Sequence, residues 1–152
     1  MSKEELERID HAGMAAWDEH DIDAFIAQFA DEFVWQDLTR PEPISTREAA
    51  RDYMTGWFTA FPDMRVTTTN RVVGDDALAA EVEFRGTHTG PLAMGGKSLP
   101  ASGKSLVGRG AYFFRVAEGK ITEFSSHPDT AGMMMQLGLI PQASAETPTG
   151  TA

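Results

Sequence analysis

The chain has 152 residues, which fits a single domain with a real hydrophobic core. Its formal net charge is -10, with 13 Lys and Arg against 23 Asp and Glu; this acidic balance argues against nucleic acid or an anionic membrane surface as a partner, because both are bound through basic patches. There is no Cys, which excludes a disulfide framework, a thiolate nucleophile and cysteine metal sites.

The first predicted elements are two helices and a strand. Ser2-Lys3-Glu4-Glu5 forms a capping box, which predicts that a helix starts there. Asp21 can cap a second helix whose apolar stripe runs to Phe29. Phe33-Val34-Trp35 then predicts a short strand. The polar start shows no targeting segment and no stretch is apolar enough to span a membrane, so the simplest expected location is the cytoplasm.

A third helix and a series of strands follow. Ser45-Thr46-Arg47-Glu48 is a second capping box, and Pro62 ends the helix that it opens. From Met64 onward, β-rich segments separated by turns predict a meandering antiparallel sheet. The segment 90–103 is rich in Gly, Pro and Ser and predicts a long loop. Residues 130–139 predict a short final helix.

The order of these elements predicts the fold class. Three N-terminal helices followed by strands indicate an α+β fold, in which the helices pack against a curved mixed or antiparallel sheet. Such a sheet closed by helices forms a cone that encloses a pocket. We expect one domain over residues 1–141 and a flexible tail over residues 142–152.

Two Gly-Lys-Ser sequences invite comparison with phosphate-binding loops. Gly96-Lys97-Ser98 and Gly103-Lys104-Ser105 both lack the glycine that such a loop needs five positions earlier, since Pro91 and Ser98 stand there. The four histidines form no His-x-x-x-His pair, so a zinc site is not expected. We therefore expect no metal and no cofactor, and any catalysis must use carboxylates, imidazoles and a shaped apolar pocket.

Several short motifs follow one another in an order typical of one family. They are Ala16–Asp23, Phe61–Met64, Gly119–Glu123, Asp129–Gly132 and Gln136–Pro141. In order and spacing they resemble the SnoaL-like polyketide cyclases of the nuclear-transport-factor-2-like superfamily, over nearly the whole domain. The resemblance implies the cone fold, a cofactor-independent intramolecular aldol closure, and a homodimer that forms through the outer face of the sheet.

The resemblance also implies an aspartate acid/base near the C-terminal end, and Asp129 is the matching position. Ser125-Ser126-His127-Pro128 precede it, where the family often has aromatic residues. In an extended segment His127 points to the same side as Asp129, where it can steer the carboxylate or donate a proton to a developing oxyanion. Each has a plain alternative role, Asp129 as the N-cap of the final helix and His127 as a half-exposed strand end.

Six further side chains are expected to contact a ligand. Two share one face of the first strand, three share one face of the third helix and one ends a later strand beside the long loop. They are Trp35, Asp37, Tyr53, Trp57, Phe61 and His88. Aromatic stripes usually form core, and a histidine at a strand end commonly bonds to a loop, so structural roles remain open for them. In a cone, one face of a helix can serve both purposes.

The expected function is that of a cofactor-independent cyclase or isomerase acting on a small apolar, polyketide-like carbonyl compound. Asp129 would abstract a proton next to a carbonyl. A limonene-type epoxide hydrolase is one alternative, although Arg85 and Arg109 lack the Arg-x-Asp pattern. An isomerase of the ketosteroid type would need Tyr53 or Tyr112 deep in the cone. A non-catalytic binding module is the last alternative, and a pocket lined only by apolar groups would favour it.

Overall fold

The structure is a computed structural model that describes residues 2–94 and 96–141. The tail expected over residues 142–152 lies outside the described residues. The helices are α1 (Lys3–Glu19), α2 (Ile22–Ile26), α3 (Arg47–Ala60) and α4 (Thr130–Gln136). The strands are β1 (Phe29–Asp37), β2 (Arg65–Val73), β3 (Ala77–Thr87), β4 (Leu92–Met94), β5 (Lys97–Leu99), β6 (Ser105–Ala117) and β7 (Lys120–Pro128).

Five of the strands form one curved, unclosed sheet in the order β1-β7-β6-β3-β2. β1 pairs with β7 in parallel, and the other neighbours pair antiparallel. The first strand of the chain therefore lies beside the last, at one edge of the sheet. The predicted α+β fold with a mixed sheet and N-terminal helices is confirmed.

The helix starts follow from local capping. The Ser2 hydroxyl accepts a hydrogen bond from the Glu5 backbone N–H at 3.2 Å, and the Glu5 carboxylate accepts one from the Ser2 N–H at 3.1 Å, as a capping box requires. α3 begins one residue later than its predicted box, because the hydroxyl of Thr46 caps it by accepting from the Ala49 N–H at 3.1 Å.

Two predicted segments differ from the structure. Phe29 opens β1 instead of ending α2, because it pairs with Ile121 of β7 and buries its ring, so tertiary packing overrides the helical spacing. β1 is consequently nine residues long. The segment predicted as a loop contains the β4-β5 hairpin, in which Leu92 pairs with Leu99. Leu92 is buried, and this apolar contact holds the hairpin against the domain.

The hydrophobic core consists of two clusters. One lies between the N-terminal helices and strands β1, β6 and β7. The other lies around the C-terminal half of α3, the β4-β5 hairpin and α4. Trp17, Tyr53 and Phe58 pack against both clusters and join them. Among the described residues, no helix is long and apolar enough to cross a membrane.

Candidate functional site

A cavity of about 110 Å³ lies where the two core clusters meet. Its wall is drawn from α1, α3 and the inner face of the sheet, and it is almost wholly apolar. The aromatic side chains that line it are Trp17, Trp35, Tyr53, Trp57, Phe84, Tyr112 and Phe124. Few polar side chains line the cavity. Among them is the buried carboxylate of Asp37. This composition suits a small apolar ligand with one polar end.

Strand periodicity places Asp37 at the cavity. Phe33, Trp35 and Asp37 alternate with exposed residues along β1, so all three point inward. Asp37 is 2% exposed although it stands at the strand's last position. The parallel register of β1 and β7 sets Asp37 directly opposite Ser126. A carboxylate and a hydroxyl are thus brought together at the end of two adjacent strands.

The carboxylate of Asp37 accepts hydrogen bonds on both oxygens. The Tyr53 hydroxyl donates to Oδ2 at 2.5 Å, and the Ser126 hydroxyl donates to the same oxygen. The Thr39 backbone N–H donates to Oδ1 at 2.9 Å, and the Thr39 hydroxyl also donates there. The indole Nε1–H of Trp35 donates to Ser126 Oγ at 2.9 Å. A continuous network therefore joins α3, β1 and β7 around one buried anion.

The environment of Tyr53 keeps its hydroxyl protonated. Burial, the negative charge of Asp37 and the hydrogen bond to Asp37 together raise the pKa of Tyr53 well above its ordinary value. A neutral phenol beside a carboxylate can donate a hydrogen bond to that carboxylate or to an oxygen of a ligand. The arrangement pairs a candidate base with a candidate hydrogen-bond donor inside one apolar cavity.

A second buried carboxylate, that of Asp10, does not line the cavity but contacts Tyr112, which does. Asp10 is 2% exposed, and its Oδ2 lies 2.6 Å from both Nε and one Nη of Arg71. The Tyr112 hydroxyl donates to Asp10 Oδ1. Burial and this hydrogen bond raise the pKa of Tyr112 above its ordinary value. Because the hydroxyl of Tyr112 donates to Asp10, Tyr112 contributes its aromatic ring to the cavity wall.

The structure brings most of the expected ligand-contacting residues together. Trp35, Asp37, Tyr53 and Trp57 line the cavity. Phe61 and His88 do not line it. Both are fully buried, Phe61 within the second core cluster, and their ring centroids are 5.4 Å apart. The His88 Nδ1 lies 2.9 Å from Ser102 Oγ, and burial lowers the pKa of the His88 imidazole.

The two residues predicted as catalytic lie near the end of β7. His127 is among the residues around the cavity, but its side chain is exposed and its Nε2 lies 3.1 Å from Ser125 Oγ. Its imidazole is therefore on the side of β7 opposite Ser126 and does not face Asp37. Asp129 is exposed and outside the cavity lining, and its Oδ1 accepts from the Gly132 N–H at 2.9 Å as the N-cap of α4. Their catalytic roles stay predictions.

The sequence patterns did not single out Ser126, Thr39 or Asp10 as site residues. Thr39 is recognisable afterwards, because it follows Asp37 by two residues in a typical Asx-turn arrangement. Ser126 is 89 residues from Asp37, and only the pairing of the first strand with the last brings them together. Among the described residues, no group of three or more His, Asp or Glu side chains is arranged to hold a metal ion.

Solved structures share this fold. AclR from Streptomyces galilaeus, a candidate hydroxylase, has a TM-score of 0.81 and 20% identity, over 95% of this chain and 87% of that chain. IdmH from Streptomyces antibioticus, a candidate polyketide cyclase, has a TM-score of 0.73 and 23% identity, over 87% and 97% of the chains. A candidate SnoaL-like polyketide cyclase from Jannaschia sp. CCS1 has a TM-score of 0.74 and 19% identity, over 89% and 94%.

At these identities the likeness shows a common fold. No curated protein matches the chain in sequence. The sequence model of the SnoaL-like polyketide cyclase family, however, matches residues 7–137, which run from within α1 to the end of α4. The predicted resemblance is confirmed, and the chain belongs to the SnoaL-like polyketide cyclase family.

Proposed function

We propose that this protein is a cofactor-independent cyclase or isomerase in which Asp37 moves a proton on a small carbonyl compound. The observation that carries the proposal is a buried carboxylate inside an aromatic cavity with a tyrosine hydroxyl 2.5 Å away. An apolar enclosure with one base and one neutral donor is what proton abstraction next to a carbonyl requires. Family membership supports the same class of chemistry.

The reaction begins when the substrate places an acidic C–H bond against Asp37. The carboxylate takes the proton, the electron pair of the C–H bond passes into an enolate, and the protonated Tyr53 hydroxyl donates a hydrogen bond to the enolate oxygen. In a cyclase, the enolate carbon then attacks a second carbonyl of the same molecule and forms a C–C bond. The resulting alkoxide takes the proton back from Asp37, so no proton or electron is gained or lost.

The cavity limits how much substrate enters. Its volume of about 110 Å³ is smaller than the roughly 150 Å³ of an apolar cavity that takes up benzene. The substrate is therefore small, or only the reacting end of a larger molecule is enclosed. The aromatic wall favours a flat apolar group, and holding two carbonyls close together inside it supplies the proximity that ring closure needs.

Asp129 is the position to which the family resemblance assigns the acid/base role. Its carboxylate is exposed and caps α4, whereas Asp37 is buried and lines the cavity. A base that works in water-excluded surroundings gains from burial, which Asp37 has. We therefore propose Asp37 as the base, and a comparison of two asparagine variants separates the two residues.

The experiment measures exchange of acidic C–H protons into D₂O by NMR, with a panel of small cyclic 1,3-diketones and aromatic ketones. We expect wild type to accelerate exchange and Asp37→Asn to lose about 10²-fold or more of that rate, the usual size of a general-base contribution. Asp129→Asn should retain the rate. Loss of exchange in Asp129→Asn but not in Asp37→Asn would transfer the role to Asp129. No exchange by wild type on the whole panel would favour a binding module.

A further inference from the structure

Among the described residues, two carboxylates are buried, and they differ in the charge of their hydrogen-bond partners. Asp10 and Asp37 are each 2% exposed. Asp10 is paired with the guanidinium of Arg71 at 2.6 Å. Asp37 is held by hydroxyl groups and a backbone N–H, all of which are neutral. The carboxylate oxygens of Asp37 thus both accept hydrogen bonds. However, no positively charged side chain of the described residues pairs with this carboxylate.

The residues around Asp37 give it no counter-ion. None of the described residues that line the cavity is Lys or Arg. The ion pairs within 2–94 and 96–141 engage other carboxylates, and Asp37 takes part in none of them. A buried charge without a partner is costly, because burial removes its hydration. A ligand that brings a positive charge into the cavity would recover part of that cost.

The walls next to Asp37 are suited to a cation that does not need hydrogen bonds. The ring centroids of Trp35 and Tyr53 are 5.1 Å apart with an interplanar angle of 77°, and those of Tyr53 and Trp57 are 6.3 Å apart at 78°. Adjacent rings are therefore nearly perpendicular and pack edge to face, and all three line the cavity beside Asp37. Aromatic faces attract cations, and sites lined by several aromatic rings recognise quaternary ammonium groups.

We propose that the cavity binds a small organic ammonium cation, quaternary or protonated tertiary, against the rings of Trp35, Tyr53 and Trp57 that line it and close to the charge of Asp37. A hard metal cation would require many oxygen ligands, which this apolar wall does not offer. Alkyl groups on nitrogen suit the apolar surface, and a tetramethylammonium-sized group has fewer heavy atoms than benzene, in keeping with the cavity's size of about 110 Å³.

The ammonium cation would bind in the cavity of the proposed function, but its binding does not depend on the proposed reaction. Binding requires the charge of Asp37 and the ring faces, whereas catalysis requires a proton to move. An ammonium cation at Asp37 would occupy the place of the reacting end of a carbonyl compound. The two ligands are therefore expected to compete, and binding can be measured without any turnover.

The test is a titration of the full chain with tetramethylammonium chloride at constant ionic strength. Calorimetry and tryptophan fluorescence measure the binding. Sodium chloride and tert-butanol, an uncharged molecule of similar shape, serve as the comparison ligands. We expect saturable binding of tetramethylammonium alone, since all three tryptophans line the cavity and report on its occupation. Asp37→Asn should weaken binding about tenfold or more.

Asp52→Asn is the matched control, because Asp52 neighbours Tyr53 on α3 but is exposed, and it should bind like wild type. Equal binding of tert-butanol and tetramethylammonium by wild type would overturn the proposal, and so would unchanged affinity in a folded Asp37→Asn. The comparison of the two ligands on wild type keeps the test decisive even where Asp37→Asn does not fold. Failure here leaves proton exchange by Asp37 standing, because the two assays are independent.

Discussion

The hydroxyl of Tyr53 on α3 lies 2.5 Å from Oδ2 of Asp37 on β1. This contact ties a helix to the edge strand through a buried anion, so it bears on stability as well as on chemistry. We predict that Tyr53→Phe lowers the free energy of unfolding by about 1.5–3 kcal/mol, the size of a hydrogen bond to a charged group. Urea denaturation measures the loss. An unchanged midpoint would mean that water replaces the phenol.

The tyrosines of the chain are Tyr53, which is partly buried, and Tyr112, which is buried. The hydroxyl of each contacts a carboxylate, and desolvation raises the pKa of each above its ordinary value of about 10. In the unfolded chain both hydroxyls ionise near pH 10, while the folded chain keeps both protons. The stabilisation is therefore complete below about pH 10 and is lost as the pH rises toward the folded values.

We predict that the native protein shows no tyrosinate absorbance until its circular dichroism changes, and that both signals then move together as the protein unfolds in alkali. Tyr53→Phe and Tyr112→Phe should each halve the final absorbance change. Tyrosinate that appears near pH 10 in a protein with native circular dichroism would show that at least one hydroxyl is accessible.

Ser126 is the link between Trp35 and Asp37, since it accepts from the indole and donates to the carboxylate. Ser126→Ala leaves an indole N–H and a carboxylate oxygen each without this partner. We predict a loss of about 1–3 kcal/mol in the free energy of unfolding, with a changed tryptophan emission. Ser125→Ala is the control, because Ser125 is on the other side of β7 and contacts His127; it should change stability by less than about 0.5 kcal/mol.

Gly108 provides the space in which the Phe84 ring lies. The two residues face each other across β3 and β6, and a Cβ at position 108 would stand 2.2 Å from the ring. We predict that Gly108→Ala displaces the ring and costs about 1–3 kcal/mol. Gly56→Ala is the opposite case: a Cβ there meets nothing within 4 Å inside α3, so it should stabilise by about 0.5–1 kcal/mol. Thermal unfolding of both variants measures the difference, and equal effects would contradict it.

The outer face of the sheet, which the helices leave uncovered, presents exposed apolar side chains. Val34, Val72 and Val107 are 44%, 66% and 37% exposed. We predict that two copies pair through this face, as the family resemblance implies, and that Val107→Glu shifts the equilibrium to monomer. Sedimentation at several concentrations measures the shift, and Thr55→Glu on the exposed side of α3 should leave it unchanged. A wild-type protein that is monomeric throughout would refute the prediction.

The parts of the site that the sequence predicted depend on short-range rules. Alternation along one strand sufficed to turn Trp35 and Asp37 to the same side, and helical spacing set Tyr53 and Trp57 on the inner face of α3. Helical spacing did not show where the cavity ends along α3: Trp57 and Phe61 both belong to the second core cluster, but Phe61 does not line the cavity. The extent of the cavity is decided by packing between distant segments.

The contacts that the sequence did not predict join distant residues. Tyr112 and Asp10 are 102 residues apart, and Trp35 and Ser126 are 91 apart. Local sequence patterns do not indicate which strands become neighbours in the sheet. Nor do they fix the register, and a one-residue change of register would turn Ser126 away from Asp37. By contrast, the capping of α4 by Asp129 joins residues three apart, and the sequence did offer that role.

The cavity stands between two core clusters that share only a few side chains, Trp17, Tyr53 and Phe58. A molecule that fills it becomes part of the hydrophobic core and adds contacts to both halves at once. Such a ligand binds the native chain and not the unfolded one, so a hundredfold excess over its dissociation constant adds about 2.7 kcal/mol to stability. A shift in melting temperature across a library of carbonyl compounds and amines is therefore a direct route to the natural ligand, with no assay of turnover required.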